Sequence, residues 1–219
     1  MSTLLLRLTA PLQAWGADAR FERRGTERMP TKSGIVGMLA AALGIKRNED
    51  ISQLAALRFG VRTDREGSLL RDFHTARHPV DEKRAYITTR YYLEDAVFLV
   101  GLEGDDATLC DLQAALMHPA YPLFLGRRSC PPSGQLVLGI RPKSLKDALM
   151  DEPPLVDKMP YARMSMDSED QGGRLIRDVP MSFDQSRRSF GFRLVKDDKV
   201  DFVLTSAETK HDPMSELED

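Results

Sequence analysis

An α+β fold is what this sequence predicts, and three observations predict it. Stretches with the period-two alternation of strands take turns with stretches of helical period. The helical stretches carry their own start and stop residues. Between the second and third strand-like stretches the pattern breaks for about 30 residues, over 64–93, too long for a passive connection.

The first strand is Leu4, Leu6 and Leu8 alternating with Thr3, Leu5 and Arg7, which gives one firmly buried face. An arginine-rich loop follows over 11–30. Residues 33–44 read as a helix: Ser33 or Thr31 caps it, Ile35, Leu39 and Leu43 share a face, and Gly44 ends it. Gly37 would let that helix approach the sheet closely. A short helix over about 50–57 precedes a second strand at 59–62.

The polar, basic stretch 64–93 interleaves Arg71, His74, Arg77, His78, Lys83, Arg84 and Arg90 with Phe73, Tyr86, Tyr91 and Tyr92. Within it Tyr86, Thr88 and Arg90 alternate against Ile87 and Thr89, the mark of a hairpin arm. Regular structure resumes with a buried strand over 96–102. Asp105 or Asp106 then caps a helix whose Leu109, Leu112 and Leu116 line one face, ended by Pro119 and Pro122. Leu136, Leu138 and Ile140 make another strand, and 144–150 a short helix. The weakly patterned 151–173 reads as loop. Residues 190–195 and 200–204 are expected to pair through a turn at Asp197-Asp198. The order β-α-β-(arm)-β-α-β, then extra C-terminal strands, is that of a ferredoxin-like (RRM-like) core. One domain over 1–207 is expected, followed by a disordered acidic tail over 208–219.

Composition narrows the function. Hydrophobic residues make up 42% of the chain and charged ones 29%, enough for a real core. No apolar run reaches the roughly 18–20 residues of a membrane span, and residues 1–10 read as a strand rather than a signal peptide. Cys110 and Cys130 form neither a disulfide framework nor a zinc set, so the cytoplasm is the default compartment. The net charge of −2 hides an uneven distribution. Residues 1–34 hold six basic and three acidic residues, 121–146 five basic and none acidic, and 208–219 five acidic and one basic. That pattern fits either solvated surface or a basic face that meets phosphate.

Phosphate-cradling and dinucleotide-binding glycine motifs are absent, and the glycines at 34 and 37 have the wrong spacing for them. His74 and His78 stand four apart without a metalloprotease pattern, so neither metal nor cofactor is expected. Metal-free RNA cleavage would need a base, an acid and cations. His74, Tyr86, Lys83 and the arginines are the parts available for that. The same residue types serve RNA binding, where arginine forks grip phosphate and aromatic rings stack on unpaired bases. Trp15 is either a core ring or a partner contact. In Gly126-Arg127-Arg128-Ser129-Cys130-Pro131 the glycine lets a backbone come close to a ligand, and the arginines follow in a tight turn.

Four segments together resemble the CasD family, the subunit of type I-E CRISPR Cascade complexes that holds the 5′ end of the guide RNA. They are residues 6–16 (LRLTAPLQAWG), 30–37 (PTKSGIVG), 70–75 (LRDFHT) and 126–131 (GRRSCP), in that order. The resemblance covers 3–140 and, around Pro180-Met181, part of 141–195. It implies an RRM-like core with a β-hairpin thumb inserted over about 64–93. It also implies binding of the crRNA 5′ handle and capping of the CasC backbone, with contacts to CasA and with target DNA met only through the assembled complex. Guide processing in such systems belongs to a different subunit. In related type I-C systems the equivalent protein cleaves RNA with a Tyr/Lys/His set, which does not align completely here. The expectation is therefore a non-catalytic RNA-binding subunit, with metal-independent crRNA processing as the alternative. The expected RNA contacts are Lys32 and Ser33 at the first helix start, and Arg20, Arg23 and Arg24 in the preceding loop. Arg71, His74, Arg77 and Arg90 on the arm and Arg127, Arg128 and Ser129 in the turn complete the set.

Overall fold

The first strand, β1 (Ser2–Thr9), is buried on both faces rather than one. Leu4, Leu6 and Leu8 enter the main core, while Leu5, also wholly buried, enters a second cluster on the opposite face. The structure, a computed structural model, describes residues 1–16, 19–20, 23–77, 85–170 and 172–202. The arm residues His78, Lys83 and Arg84, the 203–204 end of the expected last strand and the acidic tail lie outside the described residues.

Around β1 run β5 (Arg58–Arg65), β8 (Val97–Gly104) and β9 (Val137–Arg141), in the spatial order β5-β8-β1-β9 with every pairing antiparallel. Helices α1 (Lys32–Leu43) and α3 (Asp106–Met117) cover the face that carries Leu4, Leu6 and Leu8. Thr31 caps α1 through its side chain, and Gly44 closes it in the left-handed conformation. Asp105 caps α3, whose Leu109, Leu112 and Leu116 face inward as their spacing requires. Leu43 is the exception to the expected face of α1, being 39% exposed. The short α2 (Ser52–Ala56) precedes β5.

The opposite face is covered by α4 (Leu145–Asp151), capped by Ser144. Gly60 and Gly101, cross-strand partners on β5 and β8, make the trough for it. A Cβ on Gly101 would stand 2.6 Å from Leu145, and one on Gly60 2.8 Å from Leu149. Gly37 plays no such part, because a Cβ there would make ordinary contact with Phe183 at 3.7 Å. The buried Arg62 ties the end of α4 down. It pairs with Asp64 and donates to the carbonyls of Leu149 and Pro153 at 2.7 and 2.8 Å.

Two expectations for the C-terminal third are corrected. Residues 151–173 are not loop throughout: β10 (Tyr161–Asp167) sits between β5 and the last strand, with Ala162, Met164 and Met166 buried at period two. The expected turn at Asp197-Asp198 is the middle of one long strand, β12 (Ser189–Asp201). Asp197 stands opposite Ser165 and Asp198 opposite Met164, and Lys146 pairs with Asp198 at 3.0 Å, so these acids are partnered strand residues. With β11 (Arg174–Ser182) at the edge, the large sheet has the order β11-β12-β10-β5-β8-β1-β9.

The arm is a second sheet. β6 (Ser68–Arg77) and β7 (Ala85–Glu94) form a hairpin in continuous register. The other edge of β7 takes β2 (Leu12–Gln13) at its root and β4 (Arg23–Arg24) beside Thr89 and Arg90, and β3 (Ala19–Arg20) pairs with β4. No helix among the described residues is long and apolar enough to cross a membrane.

Candidate nucleic-acid interface

The root of the hairpin is where the sequence segments meet. Trp15 is wholly buried and donates its indole N–H to Gln13 Oε1 at 3.2 Å, so it is a core ring. Its backbone holds the arginine loop in place: Trp15 N–H donates to Thr26 Oγ1 at 2.8 Å, and Glu27 N–H to the Trp15 carbonyl at 2.6 Å. The 126–131 turn docks against the same stretch. Gly126 has φ +83, and a Cβ there would fall 1.6 Å from the Ala14 carbonyl oxygen. Its bareness therefore serves a close approach to Ala14, not to a ligand.

Arg127 is the clasp of this junction. Its guanidinium donates to the carbonyls of Tyr91 (3.0 Å), Arg24 (2.7 Å) and Gly25 (3.0 Å), and it lies over the Tyr92 ring at 4.6 Å. Three carbonyls and a ring use most of its five donors and its flat face. Arg128 and Ser129 follow on the exposed side of the turn, while Cys130 is buried and burial pushes its thiol up.

Strand alternation divides the arm residues between two faces. Register places Arg71, Phe73, Arg77, Thr89 and Tyr91 on one face and Asp72, His74, Tyr86, Thr88 and Arg90 on the other. On the first face Arg71 stacks over Phe73 at 4.7 Å, and Arg23 donates to the Tyr91 hydroxyl at 3.3 Å. The Arg23 guanidinium, with Arg71 nearby, holds the Tyr91 phenol below the usual tyrosine range. Phe73 is 59% exposed, so a cationic, aromatic surface faces outward there. On the second face His74 Nε2 lies 2.6 Å from Asp72 Oδ2, and Arg90 Nε is buried without a partner among the described residues. Arg24 stands opposite Arg90 in register, and Arg20 opposite Arg23.

The expectation for the start of α1 is corrected. The N–H of Lys32 donates to Asp178 Oδ2 at 2.9 Å, and its ammonium pairs with Asp167 at 3.0 Å. Arg193 bridges Asp167 and Asp178 at 2.7 and 2.6 Å. A protein carboxylate thus occupies the place where phosphate was expected, and Lys32 is buried. Ser33 Oγ lies 3.3 Å from Thr31 Oγ1 within the cap.

Tyr91 is the residue that sequence reasoning undervalued. In the sequence it is one of several interleaved aromatics, yet its hydroxyl joins Arg23 to the arm. The signal for it was parity: Tyr91 and Arg71 fall opposite each other in a hairpin centred on residue 81.

The chain matches the family described as "CRISPR-associated protein (Cas_Cas5)" over residues 3–196. It is 40% identical over 159 residues to "CRISPR system Cascade subunit CasD" of Escherichia coli (strain K12), across 63% of this chain and 70% of that protein. Among solved structures it is similar to one described as "Crystal structure of Cas protein", with TM-score 0.76, 45% identity and coverage of 91% of this chain and 95% of that one. It is also similar to a chain of a "CRISPR RNA-guided surveillance complex", with TM-score 0.79, 31% identity and coverage of 95% of each chain. The chain belongs to this CRISPR-associated family and, within it, to the CasD subunits of type I-E systems.

Proposed function

We propose that this chain is the non-catalytic subunit of a Cascade surveillance complex that holds the crRNA 5′ handle and caps one end of the CasC backbone, acting in the cytoplasm in antiviral defence. The βαββαβ frame is read as a ferredoxin-like (RRM-like) core, and the β6–β7 hairpin as its thumb. CasC and CasA are its protein partners, and target DNA reaches it only through the assembled complex. The single observation that carries handle binding is the outward face of the hairpin root, where Arg23, Arg71, Phe73 and Tyr91 are brought together. Guanidiniums meet phosphate there and the exposed Phe73 ring meets an unpaired base. Similarity to a Cascade subunit and to a chain of an RNA-guided complex supports the same reading.

The test uses Arg71→Ala with Arg128→Ala, since both side chains are exposed. The chain is purified with its partner subunits and the guide RNA retained is measured across a salt series. The purified chain is also titrated with a handle-bearing oligonucleotide. Weaker binding with a shallower salt slope and an unchanged melting temperature is expected. Equal retention and equal affinity in a folded double variant would sink the reading.

A further inference from the structure

The β11–β12 hairpin lies at the opposite edge of the large sheet from β9 and shares no element with the arm. Phe190, Phe192 and Leu194 alternate along one face of β12, and Leu175 joins them opposite Leu194. This is the same face that α4 covers farther in, at Met164, Met166 and Val200. Beyond that cover the surface is open: Phe192 is 61% and Leu175 62% exposed.

Arginines frame the open rings. Arg188 lies 5.3 Å from the Phe190 centroid and Arg177 5.9 Å from that of Phe192, near the outer limit of such contacts. Residues 174–192 contain Arg174, Arg177, Arg187 and Arg188 against Asp178 and Asp184. Asp178 is buried and taken by Arg193 and Lys32, and Arg174 stands opposite Val195 on the other face of the sheet, so the exposed guanidiniums of Arg177, Arg187 and Arg188 remain against Asp184. Arg174 leans on Asp197 at 3.4 Å, an exposed pair that holds it weakly.

We infer that this face binds unpaired, single-stranded nucleic acid without base preference, at a second site separate from the hairpin root. Two rings two residues apart on one strand stand about 7 Å apart, which gives successive splayed bases one ring each. Sheet-borne aromatics take bases in this way, and flanking arginines take the phosphates. The charge balance selects a polyanionic strand over a protein surface, which would have to bring carboxylates to several guanidiniums at once. The inference goes beyond handle binding and does not depend on it.

The test is fluorescence anisotropy of the full chain with a short fluorescein-labelled oligothymidine, which lacks any handle sequence. Wild type is expected to bind with salt-dependent affinity. Phe192→Ala should weaken binding about tenfold, and Phe192→Tyr should keep it. Arg177→Ala with Arg188→Ala should lower the salt slope by about 1.4, two phosphate contacts on a single strand. Handle-oligonucleotide affinity should stay unchanged in all three, and Phe192 is exposed enough for the fold to tolerate its loss. Absence of oligothymidine binding by wild type would overturn the inference, as would binding that these variants leave intact. So would oligothymidine binding that disappears only in the Arg71→Ala, Arg128→Ala double variant. Loss of a partner subunit from Phe192→Ala complexes, with oligothymidine binding unchanged, would mark the face as a protein contact and also overturn it.

Discussion

Asp178, on the edge strand β11, accepts the N–H of Lys32 at the start of α1 at 2.9 Å, across 146 positions of sequence. Its two oxygens also take the fork of Arg193, at 2.6 and 2.9 Å. One carboxylate therefore caps a helix dipole and anchors the C-terminal strands to the first helix. Asp178→Ala leaves Arg193 with only Asp167 and uncaps the Lys32 amide. A loss of about 3–5 kcal/mol is expected, the cost of breaking a buried pair, read by urea denaturation. Asp178→Asn, which keeps an acceptor, should lose less.

Gly126→Ala and Gly134→Ala separate crowding from conformation. Both glycines have positive φ, +83 and +71, but a Cβ at Gly134 meets open space. Gly134→Ala should cost about 1–2 kcal/mol, the penalty of the left-handed region alone. Gly126→Ala must also push the Ala14 backbone away, so its melting temperature should fall well below that of Gly134→Ala. Equal losses would mean that the turn does not dock on Ala14.

Arg127→Ala and Arg128→Ala should part company in the same manner. Arg127 serves three carbonyls and the Tyr92 ring, so its removal should lower stability as well as RNA retention. Arg128→Ala should lower RNA retention alone. Calorimetry and a salt-dependent binding series on both variants check this.

The Tyr91 phenol offers a spectroscopic handle on the interface. Arg23, and more weakly Arg71, favour its ionised form. Its folded pKa is depressed, so the stability it lends is complete above the ordinary tyrosine value near 10 and is lost as pH falls through the lower folded value. Ultraviolet titration of tyrosinate should show one tyrosine ionising early, and Arg23→Ala should return it towards the ordinary range. An unchanged titration curve in Arg23→Ala would contradict the contact.

Repeat RNA incubated with the purified chain without magnesium should remain intact. His74 and Tyr86 do share a hairpin face, but His74 lies 2.6 Å from Asp72. Cleavage that His74→Ala abolishes would establish the enzyme alternative.

The helices were legible because their caps are local: Thr31, Gly44, Asp105 and Ser144 each act within a few residues. The hairpin was legible from the length of the break over 64–93 and the alternation of Tyr86, Thr88 and Arg90. β10 was not, because Pro153, Pro154 and Pro160 crowd the approach to it and Ala162, Met164 and Met166 make a modest alternation. Asp197-Asp198 looked like a turn because aspartate is frequent at turn positions. Their partners Ser165, Arg174 and Lys146 lie far away in sequence. Lys32 looked like a phosphate ligand for the same reason, since nothing near it in sequence announces Asp167 or Asp178.

The Arg127 clasp also bears on the order in which the chain can fold. It joins the turn to Tyr91, 36 positions back, and to Arg24, 103 positions back. Contacts of such separation form only after long loops have closed. Strand β4 rests on that contact and on the side of β7, so its place depends on both the turn and the hairpin. The surface proposed to meet RNA is therefore complete only when the turn and the hairpin are both in place.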